Sequence, residues 1–137
     1  MIILSNSTAQ TLAAGQSVTF DLIKRKAGCG EGFMQGGNAV WLKGNNAGAS
    51  YDVSYGANIG ATAPGQAQLS IQFNGVTLNE TTAISTTATA GDLNNVSRAT
   101  NIPTGCGFGN GTVTLTNTGT TEITVGANSV LKISRRS

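Results

Sequence analysis

Two runs of strict alternation, Tyr51–Gly56 and Gln66–Phe73, restrict what this chain can fold into more than any other feature. In the first, Tyr51, Val53 and Tyr55 fall on one side and Asp52, Ser54 and Gly56 on the other. In the second, Ala67, Leu69, Ile71 and Phe73 alternate with Gln66, Gln68, Ser70 and Gln72. A period of two marks strands with one dry and one wet face. Asn74-Gly75 follows at once and predicts a hairpin turn, because both residues tolerate positive φ. The pattern predicts an antiparallel β sandwich.

Composition supports that reading. The chain has 137 residues, enough for one domain with a real core. Only 10% of its residues are charged and 5% aromatic, against about 25% charged in ordinary soluble domains. Gly, Ser, Thr and Asn fill the gap, and all are poor helix formers. The net charge of +2 is too small to imply a nucleic-acid partner. The basic clusters Lys24-Arg25-Lys26 and Arg135-Arg136 carry no aromatic platform beside them, which argues against single-stranded nucleic acid. They read as a solvated turn and tail, with a grip on an acidic partner surface as the alternative. No run approaches the ~20 apolar residues of a membrane helix. Met1–Leu4 has neither the basic nor the apolar region of a signal peptide, so synthesis in the cytoplasm without export by that route is expected.

Along the chain, residues 1–14 read as an N-terminal lead segment and 15–137 as the domain; Ile2, Ile3 and Leu4 could start a strand or pack under a neighbouring copy, and Ser5–Gln16 is polar. Ser17–Ile23 alternates, with Val18, Phe20 and Leu22 inward, and is expected to be the first firm strand. Lys24–Gly37 reads as a loop with five glycines. In the strand Ala39–Lys43, Val40 and Leu42 point inward and Trp41 points to solvent or another subunit. Asn58–Gly65 is expected to connect the two central strands. Later strands are expected at the edge within Asn79–Asp92, around Ala83 and Ile84, over Leu93–Ile102 with Val96 at its centre, over Thr112–Thr116, over Glu122–Val125, and over Ser129–Arg135. Eight to ten short strands with no helical window fit a jelly roll best.

No catalytic chemistry emerges. The chain has no histidine, and its six carboxylates are scattered. The glycine-rich segments at 30–32 and 107–111 precede no helix pattern and lack the phosphate-binding ending. No cofactor is expected, and no metal, since two thiols and few carboxylates cannot close a zinc site within one subunit. Cys29 and Cys106 sit in near-identical loops, each flanked by glycines. A disulfide between them and two free thiols both remain open.

Gly48–Tyr55, Pro64–Val76 and the closing Val125–Ser134 resemble, in that order, the trimeric jelly rolls of the tumour necrosis factor and complement globular-head class. The resemblance is greatest to its bacterial and phage branch, which includes the heads of collagen-like spore-surface glycoproteins, and extends to small gut-phage proteins. It implies a ten-stranded homotrimer with a structural, adhesive or receptor-binding role. It offers Tyr51 and Tyr55 two places, the subunit core or stacking at the trimer axis, and makes Trp41 an interface candidate. The sequence has no Gly-X-Y stalk, which favours a phage capsid decoration protein on the virion head surface. Its partner would be the major capsid protein, gripped through Met1, Ile2, Ile3 and Leu4 or through Lys24, Arg25 and Lys26. The alternatives are a fibre tip binding a host glycan through Trp41, and a structural protein of a bacterial cell or spore surface.

Overall fold

A computed structural model describes residues 1–26, 33–35, 37–42, 49–104 and 111–135. Its strands are β1 (Ile2–Ser5), β2 (Gln10–Leu12), β3 (Leu22–Lys26), β4 (Phe33–Gln35), β5 (Ala39–Leu42), β6 (Ala49–Ala61) and β7 (Gly65–Phe73). They continue as β8 (Val76–Thr77), β9 (Ala83–Thr87), β10 (Asn94–Thr104), β11 (Gly111–Thr116), β12 (Ile123–Val125) and β13 (Val130–Arg135). A single 3-10 turn, Asn79–Thr81, joins β8 to β9, and no α-helix occurs among the described residues.

Thirteen residues of continuous alternation make β6 the spine of one sheet. Tyr51, Val53, Tyr55, Ala57, Ile59 and Ala61 are all buried, so the dry face of β6 runs its whole length. This seven-stranded sheet has the order β2-β12-β6-β13-β1-β3, with β10 along the other side of β6. The second, six-stranded sheet has the order β4-β5-β11-β7-β8, with β9 also on β7. Every pairing within both sheets is antiparallel. The fold is thus an all-β sandwich, as the alternation predicts.

The two alternating runs do not pair with each other. They lie in different sheets and meet across the core, where the buried side chains of β6 and of β7 (Ala67, Leu69, Ile71) join one cluster. Tyr55 ties the sheets together: its hydroxyl donates towards the Thr81 carbonyl at 2.6 Å, with the Leu69 carbonyl at 3.1 Å. Burial pushes its pKa up to about 12, an effect that the nearby Arg98 guanidinium partly opposes. Asn74 (φ 53) and Gly75 (φ 81) form the expected turn between β7 and β8.

Several expectations change. The lead segment 1–14 supplies β1 and β2, and β1 lies between β13 and β3 with Ile2 opposite Ile133 and Leu4 opposite Leu131. Of the two readings open for Ile2–Leu4, the strand is the one observed; a four-residue apolar run carries too little periodicity to choose between them. The Lys24–Lys26 segment is not a turn but the second half of β3, paired with Ile2 and Ile3. Val18 and Phe20 are buried as expected, yet Ser17–Phe20 forms no regular ladder. Its one bridge is Ser17 to Thr116, and the Thr19 amide is taken by the Gln10 side chain at 2.9 Å instead of a strand. Asn58–Ala61 continues β6, where a connection was expected.

Candidate functional site

The outer face of the six-stranded sheet places Trp41 beside a field of neutral hydroxyls and amides. On β5, Val40 and Leu42 are buried and Trp41 turns outward, partly exposed, as the alternation predicts. Trp41 pairs in register with Thr112 of β11 on one side and Phe33 of β4 on the other. Along β11, Val113 and Leu115 go inward, so Thr112, Thr114 and Thr116 share the outer face. Thr114 is opposite Gln72 and Thr116 opposite Ser70 on β7.

These side chains hold one another in place. Gln72 Nε2 donates to Thr77 Oγ1 at 3.1 Å. Thr114 Oγ1 lies 2.9 Å from Thr116 Oγ1, which lies 2.9 Å from Ser17 Oγ. Ser70 Oγ bridges Thr82 Oγ1 at 2.8 Å and Thr118 Oγ1 at 2.7 Å, and Gln68 Nε2 donates to Thr118 Oγ1 at 3.0 Å. Thr116 and Ser70 are buried, closing the far end, while Trp41, Thr112, Thr114, Gln72 and Thr77 keep intermediate exposure. The accessible part is therefore a partly exposed indole next to hydroxyls and an amide. Each hydroxyl retains acceptor or donor capacity beyond its internal bond. Such a surface can stack an apolar ring face and exchange neutral hydrogen bonds.

The other sequence-derived candidates separate. Tyr51 and Tyr55 are buried within the single chain, at 0% and 3% exposure. Ile2 and Leu4 are core residues, and Ile3 and Met1 flank them with intermediate exposure. Anchoring a particle through Met1–Leu4 would require pulling a strand from the middle of a sheet. Cys29 and Cys106 lie outside the described residues. A groove of about 690 Å³ beside β2 is lined by Gln10, Gln16, Thr19 and Asp21 among others. Its polar groups serve the fold: Asp21 accepts from the Ser7 amide at 2.8 Å and from the Ser7 hydroxyl, and Gln10 caps Thr19. Among the described residues no cluster of three or more metal-ligating side chains occurs, and no helix is long and apolar enough to cross a membrane. The ladder of Gln72, Thr77 and Thr114 escaped sequence reasoning because it joins three strands. The outward threonines of Thr112–Thr116 were its only visible sign.

No protein-family model matches the chain, and no curated protein does. Among solved structures, it is similar to the CBM36-1 domain of a multidomain xylanase from the hindgut metagenome of Trinervitermes trinervoides. That match has 13% identity and a TM-score of 0.43, covering 98% of this chain and 97% of that one. It is also similar to a CBM35 from Cellvibrio japonicus Abf62 (14% identity, TM-score 0.38, 98% and 96% covered). A third is the Podospora anserina GH26-CBM35 β-(1,4)-mannanase (10% identity, TM-score 0.38), where the match covers 96% of this chain and 28% of that one. These neighbours are carbohydrate-binding-module sandwiches, not tumour-necrosis-factor-like heads. The expected capsid decoration role is accordingly corrected: these solved structures are described as carbohydrate-binding modules or an enzyme carrying one, and none as a virion protein. At TM-scores below 0.5 the likeness assigns no ligand to this chain, so the functional reading rests on the residues themselves.

Proposed function

We propose that the chain is a non-catalytic glycan-binding sandwich that presents Trp41 to a neutral sugar. The observation that carries this reading is the partly exposed Trp41 on a strand whose neighbours Val40 and Leu42 are buried, on a face shared with Thr112 and the hydrogen-bonded Thr114, Gln72 and Thr77. A pyranose has one face of C–H groups and a rim of hydroxyls. The indole offers the first an apolar surface, and the threonine and glutamine side chains offer the second both donors and acceptors. A neutral sugar requires no charge from the site, in keeping with a chain that is only 10% charged.

Burying about 80–100 Å² of apolar surface against the indole contributes roughly 2–2.5 kcal/mol. That corresponds to about a 30- to 70-fold effect on the dissociation constant. A glycan array probed with the wild-type chain and with Trp41→Ala tests the reading. It predicts wild-type binding to one or more neutral oligosaccharides, lost in the variant while its circular dichroism and melting temperature stay close to wild type. An array blank for folded wild-type protein, or binding indifferent to Trp41→Ala, overturns it.

A further inference from the structure

The outer face of the seven-stranded sheet carries a second, chemically different depression on the opposite side of the sandwich. Two adjoining hollows of about 450 and 530 Å³ share Ser54, Ala99 and Lys132 and so form one trough. Its floor is built by register. Ala99 and Ser97 of β10 lie opposite Ser54 and Gly56 of β6, which lie opposite Lys132 and Val130 of β13. All six positions alternate with inward residues, so they share the outer face. A Cβ built on Gly56 meets nothing within 4 Å, so the space over this mid-strand position is open.

The polar groups around this floor are arranged unequally. At one end, Asn101 Nδ2 donates to Asp52 Oδ1 at 2.9 Å, fixing a carboxylate and an amide side by side. Lys132 is exposed and lines both hollows. Arg98 lines the second hollow, close enough to Tyr55 to act on it electrostatically. The trough therefore combines a shallow bed of small side chains, an exposed ammonium beside it, and a positioned carboxylate–amide pair at its end.

We propose that this trough binds an acidic sugar: a pyranose ring lies on Ser54, Gly56 and Ala99, its carboxylate or sulfate meets the Lys132 ammonium, and its hydroxyls meet the Asp52–Asn101 pair. The small side chains let the ring approach the sheet closely. The anion is favoured because an ammonium pairs with an anionic oxygen more strongly than with a neutral one. Asp52 accepts sugar O–H groups and Asn101 donates to sugar oxygens. The choice of a sugar over other anions rests on the glycan-binding reading, but the site and its ligand differ from those at Trp41.

The test is a residue-resolved NMR titration of the whole chain with trigalacturonate, a sulfated disaccharide, cellotriose and inorganic sulfate. The proposal predicts shifts at the amides of Ser54, Gly56, Ala99 and Lys132 with one of the two acidic sugars, and none there with cellotriose or sulfate ion. Which acidic sugar responds identifies carboxylate or sulfate as the anion. Lys132→Met is expected to weaken that binding about tenfold, and Gly56→Val to abolish it by filling the floor while the spectrum stays folded. Equal shifts from sulfate ion, an adventitious anion only, overturn the proposal, as does acidic-sugar binding that both variants retain. No shift at the trough, with cellotriose still moving amides near Trp41, overturns this proposal and leaves the neutral-sugar reading standing. The reverse pattern does the opposite.

Discussion

Replacing Tyr55 with phenylalanine removes one oxygen from the centre of the sandwich and takes the O–H donor from the Thr81 carbonyl. The hydroxyl spans from β6 to the other sheet, 2.6 Å from the Thr81 carbonyl and 3.1 Å from that of Leu69. The site is 3% exposed, so water cannot easily take its place. Leaving a buried acceptor unpaired costs about 1–3 kcal/mol, and a single net hydrogen bond contributes about 1 kcal/mol. Tyr55→Phe is therefore expected to lose about 1.5–3 kcal/mol, a drop of roughly 4–10 °C in melting temperature for a domain this size. The pH dependence sharpens the test. Burial raises the phenol pKa from 10.0 to about 12 in the folded chain. The folded state thus holds this proton more tightly than the unfolded state does. The stability it contributes is complete below pH 10 and declines as pH rises towards 12. Phenylalanine has no proton to lose, so the gap between wild type and variant narrows over that window. Urea unfolding of both proteins at pH 7, 9, 10.5 and 11.5 measures it. A gap below about 0.5 kcal/mol at pH 7, or one that does not change with pH, refutes the role given to this hydroxyl.

Two further substitutions probe the frame around it. Leu4→Ala, at a fully buried position opposite Leu131, is expected to cost about 2–5 kcal/mol in denaturant unfolding; a change within experimental error would mean that β1 is not part of the core. Gly60→Ala is expected to cost about 1–3 kcal/mol or more, since its Cβ would stand 1.9 Å from the backbone oxygen of Asp92. A neutral thermal-melt result there would contradict the contact between β6 and the segment leading into β10.

How far the sequence announced this structure depends on where each signal was held. The inward sets Ala67-Leu69-Ile71, Val113-Leu115, Ile123-Val125 and Leu131-Ile133 are buried as alternation predicts, because a strand's two faces are encoded within the strand itself. Trp41 was legible as an outward residue for the same reason. Ile2 and Leu4 were not legible as core, since four apolar residues fit a strand or a sticky terminus equally well. Lys24–Lys26 looked like a turn because charge obscures periodicity, yet pairing with β1 makes it a strand. The strand expected over Leu93–Ile102 is β10, Asn94–Thr104, but nothing local showed that it would lie along β6. The trough was hidden altogether: its walls come from 52–56, 97–101 and 130–134, which only the sheet brings together. The family resemblance misled on function because short strand motifs in a given order describe a sandwich in general, and many sandwiches with different ligands share them.

The chain has a single tryptophan, and it is the one on the proposed binding face, so its emission reports on that face alone. We would titrate a panel of neutral oligosaccharides into the purified protein while recording tryptophan fluorescence. The account predicts a saturable blue shift and intensity change with at least one of them, as the sugar displaces water from the indole. A flat titration across a panel spanning the β-linked and α-linked neutral glycans, with the protein demonstrably folded, would contradict it.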